Sequence, residues 1–548
     1  MNVLPRFYGE LKRFFGKFVG FVVAHPFLFF AYLLVFLIGV VFYVFLELNY
    51  GTLQFDEGSR SAGGVFICRF LSGGLSDPAG YFASYRLSIL GFWFYPFLYS
   101  LLAGLSFCFF GFSEFAARLP SLVFTVLLIH ATLCVARELT GKHKVALASG
   151  FLVGISPLIV FVGAGAMVDV PVAALTAYSL LFWIRGLRSN ARNDFLIAGV
   201  LGGLAGLMKP TGILVLVFIA AFVVLAFLFA KERFVFSRNI WLGLLVGFSV
   251  FSIWVFSAVL TSFFVGGWVG EEAIKGVAYW LGFGGSFAGY VPPWYSPQWY
   301  TVEGWSYYMY ELIVMMGALP FVFVFVGVFS RFKKMRVQDV LFVLFILAIY
   351  VFHTLASNKN PRYILPVLPL LYVYVGVGLK YAYERIAGSG PWKFFRVKVV
   401  RRLAGLALVT LVLIGGFMGL FWAIDQQYTP GMTVGTVIPY REAVQVIVDD
   451  GDEGIVMPDS QDNLFNAPSL TFYLASIDSD GRYGCYPPLL NVEEILSLEW
   501  EGQKVRYVLV YNLESDISKF VLSNEEYFAF LGKAENDCGS IYIYKVRD

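Results

Sequence analysis

Residues 195–230 read FLIAGVLGGLAGLMKPTGILVLVFIAAFVVLAFLFA and contain a single charged residue, Lys209. Apolar runs of this kind are typical of helices that cross a bilayer. Only Lys209-Pro210 separates the two halves, and a proline disfavours helical geometry in the residue before it. We therefore expect two membrane helices joined by a tight hairpin, with Lys209 at its tip.

The rest of the chain extends this pattern. Of 548 residues 59% are apolar, and Phe alone occurs 58 times, which predicts a polytopic α-helical membrane protein. Runs of about 17–25 apolar residues are needed for a span. Eleven spans are predicted, near residues 27–48, 115–136, 145–163, 169–185, 195–209, 212–230, 240–262, 309–329, 340–356, 364–382 and 403–424.

Charge divides the chain into two predicted domains. Residues 1–424 hold 32 Lys and Arg against 16 acids, whereas residues 425–548 hold 8 against 21 and lack a spanning run. The net charge of +3 averages these two regions. We predict a membrane domain over 1–424 and a soluble domain over 425–548. Basic residues punctuate loops and form no contiguous stripe, so no nucleic-acid partner is expected.

Six Lys/Arg clusters separate the apolar runs, at residues 6–17, 137–144, 185–192, 231–238, 331–336 and 380–402. With 11 spans all six lie on one side, and short basic loops are cytoplasmic. The N-terminus is then inside, while the first outer loop (49–114) and the 425–548 domain are extracytoplasmic, in a cell membrane. This count requires the apolar segment 89–110 to lie on the outer surface or re-enter.

The acidic domain alternates element types. Helices are predicted over 440–448 and 469–475, and strands over 453–457, 505–511 and 540–546. A small α/β domain is the expected result. Cys485 and Cys538 could form a disulfide on the outer side.

Acids on the predicted outer face are candidates for catalysis. Asp56 and Glu57 follow the first span, where proximity to the bilayer would raise a carboxylate's pKa and make it a better base. The alternative is an ordinary loop acid pair. Asp169 begins the fourth span; it equally suits a helix N-terminus, where an acid complements the helix dipole.

Cations on the same face are candidates for binding phosphate. Four cations fall at three predicted outer turns around the acids: Lys209, Arg86, and the pair Lys359 and Arg362. Lys209 alone could simply snorkel to the interface. Several cations around two or three acids suit a bound phosphate group better.

The sequence lacks the motifs that usually bind a soluble nucleotide donor or a catalytic metal. The sequence has no Gly-rich phosphate loop, HExxH or CxxC motif, and its four histidines do not cluster. The predicted cytoplasmic loops are too short for a nucleotide-binding domain. We therefore expect a lipid-linked donor. No cofactor or metal ligand set is evident, although two acids could hold one divalent cation.

Five motifs in order resemble a known superfamily. They are Phe55-Asp56-Glu57, residues 111–121 (GFSEFAARLPS), Met167-Val168-Asp169, residues 202–209 (GGLAGLMK), and Lys359 with residues 362–366 (RYILP). The chain resembles the GT-C polyprenyl-phosphate-sugar glycosyltransferases, in the branch of the protein O-mannosyltransferases and the aminoarabinose (lipid A) transferases.

The resemblance implies roles. Asp56, within the acidic pair with Glu57, would take the acceptor's proton in an inverting displacement, and Asp169 would orient acceptor or sugar. Lys209, Lys359, Arg362 with its neighbour Tyr363, and Arg86 would bind the polyprenyl phosphate. The acceptor would be a hydroxyl or phosphate of a glycan, lipid or protein, and segment 89–110 corresponds to a juxtamembrane helix.

Two other classes stay open. A transporter or flippase for a lipid-linked or anionic solute would line its path with charged groups near the spans. Against it, the distinctive charges lie at one face and no inverted repeat is visible. A scaffold with an outer interaction domain would have no need of these acids and cations together.

Overall fold

The computed structural model describes residues 53, 55–76, 95–227, 237–264, 277–278, 297–298, 300–332, 335–356, 358–387, 403–412, 414–415, 438–460, 465–477, 483–485, 495–500, 503–511, 513–536 and 539–547. The predicted first span at 27–48, Arg86 and Cys538 lie outside these residues. So does most of the basic cluster at 380–402.

The membrane part is entirely helical in the residues described. Its α-helices are α1 (Phe55–Ser72), α2 (Leu98–Phe110), α3 (Glu114–Thr140), α4 (His143–Gly154), α5 (Pro157–Ala164), α6 (Asp169–Ser189), α7 (Arg192–Met208), α8 (Leu214–Leu225), α9 (Arg238–Phe264), α10 (Val302–Met316), α11 (Ala318–Phe332), α12 (Val337–Leu355) and α13 (Leu368–Ala387). Short 3-10 helices cover Gly74–Ser76, Pro210–Ile213 and Pro361–Val367. A further apolar helix covers Leu403–Val412.

Five helices in the described residues are long and apolar enough to cross a membrane, or seven if two bent pairs each count as one span. The predicted count of 11 is therefore not reached within these residues. Two predicted spans are also not single straight helices. The span at 145–163 breaks between α4 and α5 by 56°, and the span at 309–329 bends between α10 and α11 by 109°.

Each bend has a local cause. Pro157 opens α5, and a proline has no N–H to continue the preceding helix and clashes with the turn before it. Between α10 and α11, Gly317 adopts φ +80°, a conformation that side-chain-bearing residues rarely adopt. Hydropathy records neither effect, because a bent apolar helix and a straight one have the same composition.

Segment 89–110 contains α2, which is 13 residues long. At 1.5 Å per residue α2 spans about 20 Å, less than the roughly 30 Å hydrocarbon core. This length suits a surface or re-entrant helix, as the charge pattern predicts. Residues 89–94 lie outside the description.

Glycines bring α7 and α9 into backbone contact. A Cβ on Gly199 would collide with the carbonyl oxygen of Gly243, and a Cβ on Gly203 with that of Gly247. Both pairs are four residues apart on their helices, the small-xxx-small spacing that lets membrane helices approach closely. This contact fixes α7, which ends one residue before Lys209.

In the residues described, the C-terminal part consists of a six-stranded β-sheet and three α-helices. Its elements are α14 (Tyr440–Asp450), β1 (Gly454–Pro458), α15 (Ala467–Ile477), β2 (Tyr483–Cys485), β3 (Glu499–Trp500), β4 (Gln503–Val510), α16 (Asp516–Ser523), β5 (Phe528–Asn536) and β6 (Gly539–Val546). The strand order is β2-β1-β4-β6-β5, and β3 pairs with β4. Strand β1 runs parallel to β2 and β4, while β6 is antiparallel to β4 and β5. The five tail elements predicted from sequence are all present.

The sheet part and the membrane part share one apolar cluster. It joins Tyr99 and Ala103 of α2 to Leu470 and Phe472 of α15. The rings of Phe107 and Phe472 lie 5.8 Å apart. The C-terminal part therefore packs directly on the helices around residues 55–110.

Candidate active site

Four element ends meet at one place. Asp56 lies in the first turn of α1 and Asp169 begins α6. Lys209 follows the last residue of α7, and Arg362 lies in the 3-10 helix before α13. Polar side chains from positions 56 to 362 thus face each other across elements that are far apart in sequence.

Two arginines, Arg362 and Arg60, contact Asp56. Arg362 Nη2 lies 2.6 Å from Asp56 Oδ2. Arg60, one turn along α1, donates to the Asp56 carbonyl oxygen at 2.7 Å and lies 3.8 Å from Oδ1. Burial alone would raise the pKa of Asp56, but the charges of Arg362, Arg60 and Lys209 outweigh it and hold that pKa well below its usual range. Asp56 is therefore an ionised carboxylate at neutral pH.

Asp169 forms a second, deeper ion pair. Lys209 Nζ donates to Asp169 Oδ1 at 2.8 Å, and both side chains are almost fully buried. Lys209 Nζ also lies 4.4 Å from the centre of the Tyr363 ring, a favourable cation–π distance. Buried ions in a membrane protein are costly unless paired. The pairing explains how Lys209 can lie inside the protein between the apolar helices α7 and α8.

Tyr363 and Met167 connect the two pairs. The Tyr363 ring lies near Lys209 and also 6.0 Å from the Arg362 guanidinium. The Met167 sulfur is 3.4 Å from Arg362 Nη1 and 3.8 Å from Arg60 Nη1. The two ion pairs are therefore parts of one cluster.

This cluster carries an excess of positive charge. Arg60, Lys209 and Arg362 are three cations, whereas Asp56 and Asp169 are two carboxylates. One positive charge is left uncompensated among these groups. Such a site attracts an anion, and guanidinium groups suit a phosphate in particular because they can donate two parallel hydrogen bonds.

Glu57 points into different surroundings from Asp56. Its side chain is fully buried, 3.2 Å from Arg118 Nε, and accepts a hydrogen bond from the Ala166 backbone N–H at 2.6 Å. Consecutive helix residues face about 100° apart, so the two acids of the pair cannot serve one pocket equally. Glu57 ties α1 to α3 and to the loop that leads to Asp169.

The structure does not test the phosphate-binding role of two predicted cations, Lys359 and Arg86. Lys359 Nζ donates to the Ala356 carbonyl oxygen at 2.7 Å, and burial lowers the pKa of Lys359. Arg86 lies outside the described residues. Their predicted role in binding phosphate stays a prediction.

Sequence reasoning missed Arg60, Arg118 and His353. Arg60 had a usable signal, since it lies four residues after Asp56 and residues i and i+4 share a helix face. Arg118 is inside the GFSEFAARLPS motif, but its partner could not be read from the sequence. The ring of His353 lies 5.6 Å from Tyr363 and is buried, which only the fold reveals.

The described residues contain no group of three His, Cys, Asp or Glu side chains that could hold a metal. The two acids of the cluster are each held by cations instead. A divalent cation stays a prediction that the described geometry does not test.

Comparisons with known proteins agree with this architecture. Residues 95–256 match the model of a family described as dolichyl-phosphate-mannose-protein mannosyltransferase. A search of curated proteins returned no match.

Solved structures match over nearly the whole chain. ArnT from Cupriavidus metallidurans bound to undecaprenyl phosphate aligns with a TM-score of 0.61 and 16% identity, over 95% of this chain and 98% of that chain. The apo state of the same protein aligns with a TM-score of 0.62 and 17% identity, over 93% of this chain and 97% of that chain. The Archaeoglobus fulgidus oligosaccharyltransferase aligns with a TM-score of 0.56 and 13% identity, over 88% of this chain and 69% of that chain. The chain therefore has the GT-C glycosyltransferase fold, and it resembles the branch that holds the protein O-mannosyltransferases and ArnT.

Proposed function

We propose that the protein is an inverting glycosyltransferase. It moves a sugar from a polyprenyl phosphate to a hydroxyl or phosphate of a glycan, lipid or protein acceptor at the outer membrane face. The observation that carries this proposal is the convergence of Asp56, Arg362, Lys209 and Asp169 in one cluster with excess positive charge. The fold shared with a protein that binds undecaprenyl phosphate supports the choice of donor.

The donor phosphate would bind at Arg362 and Lys209. A sugar-linked phosphodiester carries one negative charge, which matches the uncompensated positive charge of the cluster. When the bond from the anomeric carbon to the phosphate oxygen breaks, the lipid phosphate leaves with a second negative charge. Preorganised cations at such a developing charge are typically worth about 3 kcal/mol of barrier per donor group.

Asp56 would act as the general base. It takes the proton of the acceptor hydroxyl as the acceptor oxygen bonds to the anomeric carbon on the face opposite the phosphate. The Asp56 side chain is 20% exposed and that of Asp169 is 5% exposed, so Asp56 is the more accessible of the two carboxylates for this proton transfer. With Asp56 as base and Asp169 paired with Lys209, direct attack by the acceptor gives one displacement with inversion.

The proposed orientation of the protein in the membrane rests on the basic residues at the helix ends far from the cluster. Helix α6 begins at Asp169 and ends near Arg188, and α7 begins at Arg192 and ends beside Lys209. Helix α13 carries Arg385 in its last turn, at the end away from Arg362. Since basic loop residues mark the cytoplasmic side, this distribution of charge supports an extracytoplasmic location for the cluster.

The test is a transfer assay on purified protein in lipid nanodiscs. A panel of polyprenyl-phosphate sugars is offered with candidate acceptors, and products are identified by mass spectrometry. Asp56→Asn should abolish transfer per mole of folded protein, whatever thermal stability is lost with the Arg362 ion pair. The matched control is Asp449→Asn, because Asp449 is an exposed acid on α14 and its loss should leave transfer unchanged.

A transporter gives a different result in the same samples. It would move labelled lipid-linked solute across proteoliposomes and would show no sugar transfer with any donor. That outcome, with folded wild-type protein, would overturn the proposal.

A further inference from the structure

Helix α15 of the C-terminal part lies in backbone contact with the helix that carries Asp56. A Cβ on Gly58 would lie 2.6 Å from both the Cα and the N of Ser469. Real Cβ atoms essentially never come this close to backbone atoms. Gly58 is two residues from Asp56, so the contact falls on the same helical turn as the proposed base.

Hydrogen bonds from α15 also fix the chain just before α1. Ser469 Oγ donates to the Leu53 carbonyl oxygen at 2.9 Å. The Leu53 N–H donates to Tyr473 Oη at 3.4 Å. Ser469 and Leu53 are fully buried, so neither bond competes freely with water. The position of residue 53, three before Asp56, is thus set by two side chains of α15.

Tyr473 is itself tied to a membrane helix. Its hydroxyl donates to Glu114 Oε1 at 3.0 Å, and Glu114 opens α3. Arg441 of α14 pairs with the same carboxylate at 3.1 Å. The Tyr440 ring stacks on Tyr473 at 5.0 Å with an interplanar angle of 12°. Helix α15 is therefore anchored to α3 independently of α1.

The far end of α1 is held by the same helix. Arg69, in the last turn of α1, donates to the Ala475 carbonyl oxygen of α15. Helix α1 is thus contacted by α15 near both of its ends. Sliding or rotating α1 would break these contacts with α15.

We propose that α15 positions the catalytic base, with Ser469 and Tyr473 as positioning residues that hold Asp56 in line with Arg362. This proposal rests on the proposed glycosyltransferase function and gives the C-terminal part a role in the chemical step. A displacement of about 1 Å at a reacting group can cost roughly a hundredfold in rate.

The experiment compares Gly58→Ala, Ser469→Ala and Tyr473→Phe with wild type in nanodiscs. Rates are normalised to the number of sites that bind undecaprenyl phosphate, so that misfolded protein does not count. We expect kcat per binding site to fall about tenfold to a hundredfold in Gly58→Ala and less in the other two. The donor KM should stay within about twofold, because Lys209 and the 3-10 helix of Arg362 are not touched.

Gly73→Ala is the matched control. Gly73 follows α1 directly, and a Cβ there would meet nothing within 4 Å. Its kcat and KM should equal those of wild type. If Gly58→Ala binds no lipid at all, Ser469→Ala removes a single hydroxyl and still gives the answer.

Two results would overturn the positioning role. One is an unchanged kcat per site in all three variants. The other is an unchanged kcat with a raised acceptor KM, which would assign α15 to acceptor selection. A wild-type protein that transfers no sugar contradicts the proposed function instead, so the two failures are distinguishable.

Discussion

Asp56 and the phosphate of the proposed donor compete for the guanidinium group of Arg362. A carboxylate held 2.6 Å from a guanidinium is strongly stabilised in its ionised form and is therefore a weak base. An incoming phosphate would attract Arg362 and share its hydrogen bonds. Binding of the donor would then raise the basicity of Asp56 at the moment when a base is needed.

Arg362→Ala should remove this exchange together with a phosphate-binding group. We expect kcat to fall about a hundredfold to a thousandfold, the range for loss of one preorganised donor at a developing oxyanion. Arg362→Lys should keep part of the rate, because a lysine keeps the charge but not the two-pronged geometry. Steady-state kinetics measure both, with Arg547→Ala at the exposed C-terminal end as control. Equal rates in Arg362→Ala and wild type would remove Arg362 from the site.

The pH profile of kcat/KM tests the electrostatics of Asp56. Its pKa is lowered against the opposing effect of burial, chiefly by Arg362, so in wild type the ionised form persists below the usual value of 3.8. Activity should therefore show no loss from protonation of Asp56 as pH falls from 7 to about 5. In Arg362→Ala that pKa rises and the acid limb should move to higher pH. An acid limb at the same pH in both proteins would contradict the assignment of Asp56 as the base.

Glu57 should behave differently from its neighbour. Glu57→Gln keeps an acceptor for the Ala166 N–H but removes the negative charge that faces buried Arg118. Breaking a buried pair in this way typically costs about 3 kcal/mol or more, so thermal stability in detergent should fall clearly. The exposed acid Glu442 supplies the control Glu442→Gln, which should not change stability. A fully stable Glu57→Gln protein without transfer activity would instead favour a catalytic role for Glu57.

At the scale of elements, the glycine contact between α7 and α9 holds Lys209 in place. A Cβ on Gly243 would lie 2.5 Å from the Phe195 carbonyl oxygen, so Gly243→Ala must push the helices apart. Overpacking of this kind typically costs about 1–3 kcal/mol. We expect lower thermal stability and weaker binding of undecaprenyl phosphate, measured by titration. Gly532→Ala, whose Cβ would make an ordinary contact at 3.4 Å, should change neither quantity.

Elements with strong local signals were predictable, and those set by distant contacts were not. The acid Asp169 marked the start of α6, and alternation marked β4 and β6. Strand β5 was missed, since its pairing with β6 shifts register between Phe530 and Gly532 and its alternation is interrupted there. The bends at Pro157 and Gly317 were missed because hydropathy gives the length of an apolar run and not its direction.

The site divides in the same way. Charges placed at the ends of apolar runs indicated that Asp56, Asp169, Lys209 and Arg362 belong to one face. The pairing between them could not be predicted, because it depends on how α1, α6, α7 and α13 pack. The same holds for the partner of Glu57, because Arg118 reaches it from α3.

At the scale of the whole molecule, a basic membrane part and an acidic C-terminal part meet around α1. The link between them includes the Arg441–Glu114 ion pair and the apolar cluster shared by α2 and α15. If α15 positions Asp56, the C-terminal part must lie on the side of the membrane from which the lipid-linked sugar arrives. Sidedness is thus a condition of the proposed reaction as well as a matter of topology.

Cysteine labelling tests this sidedness. In a background where the five native cysteines are replaced by serine, Asp449→Cys lies on exposed α14 and Lys142→Cys lies between α3 and α4 in a basic cluster. In sealed right-side-out vesicles an impermeant thiol reagent should label Asp449→Cys and leave Lys142→Cys unlabelled until detergent opens the membrane, because basic loops face the cytoplasm. The cysteine-free parent sets the background signal. Labelling of both positions in sealed vesicles, or of Lys142→Cys alone, would place the Asp56 cluster on the wrong side for an extracytoplasmic donor.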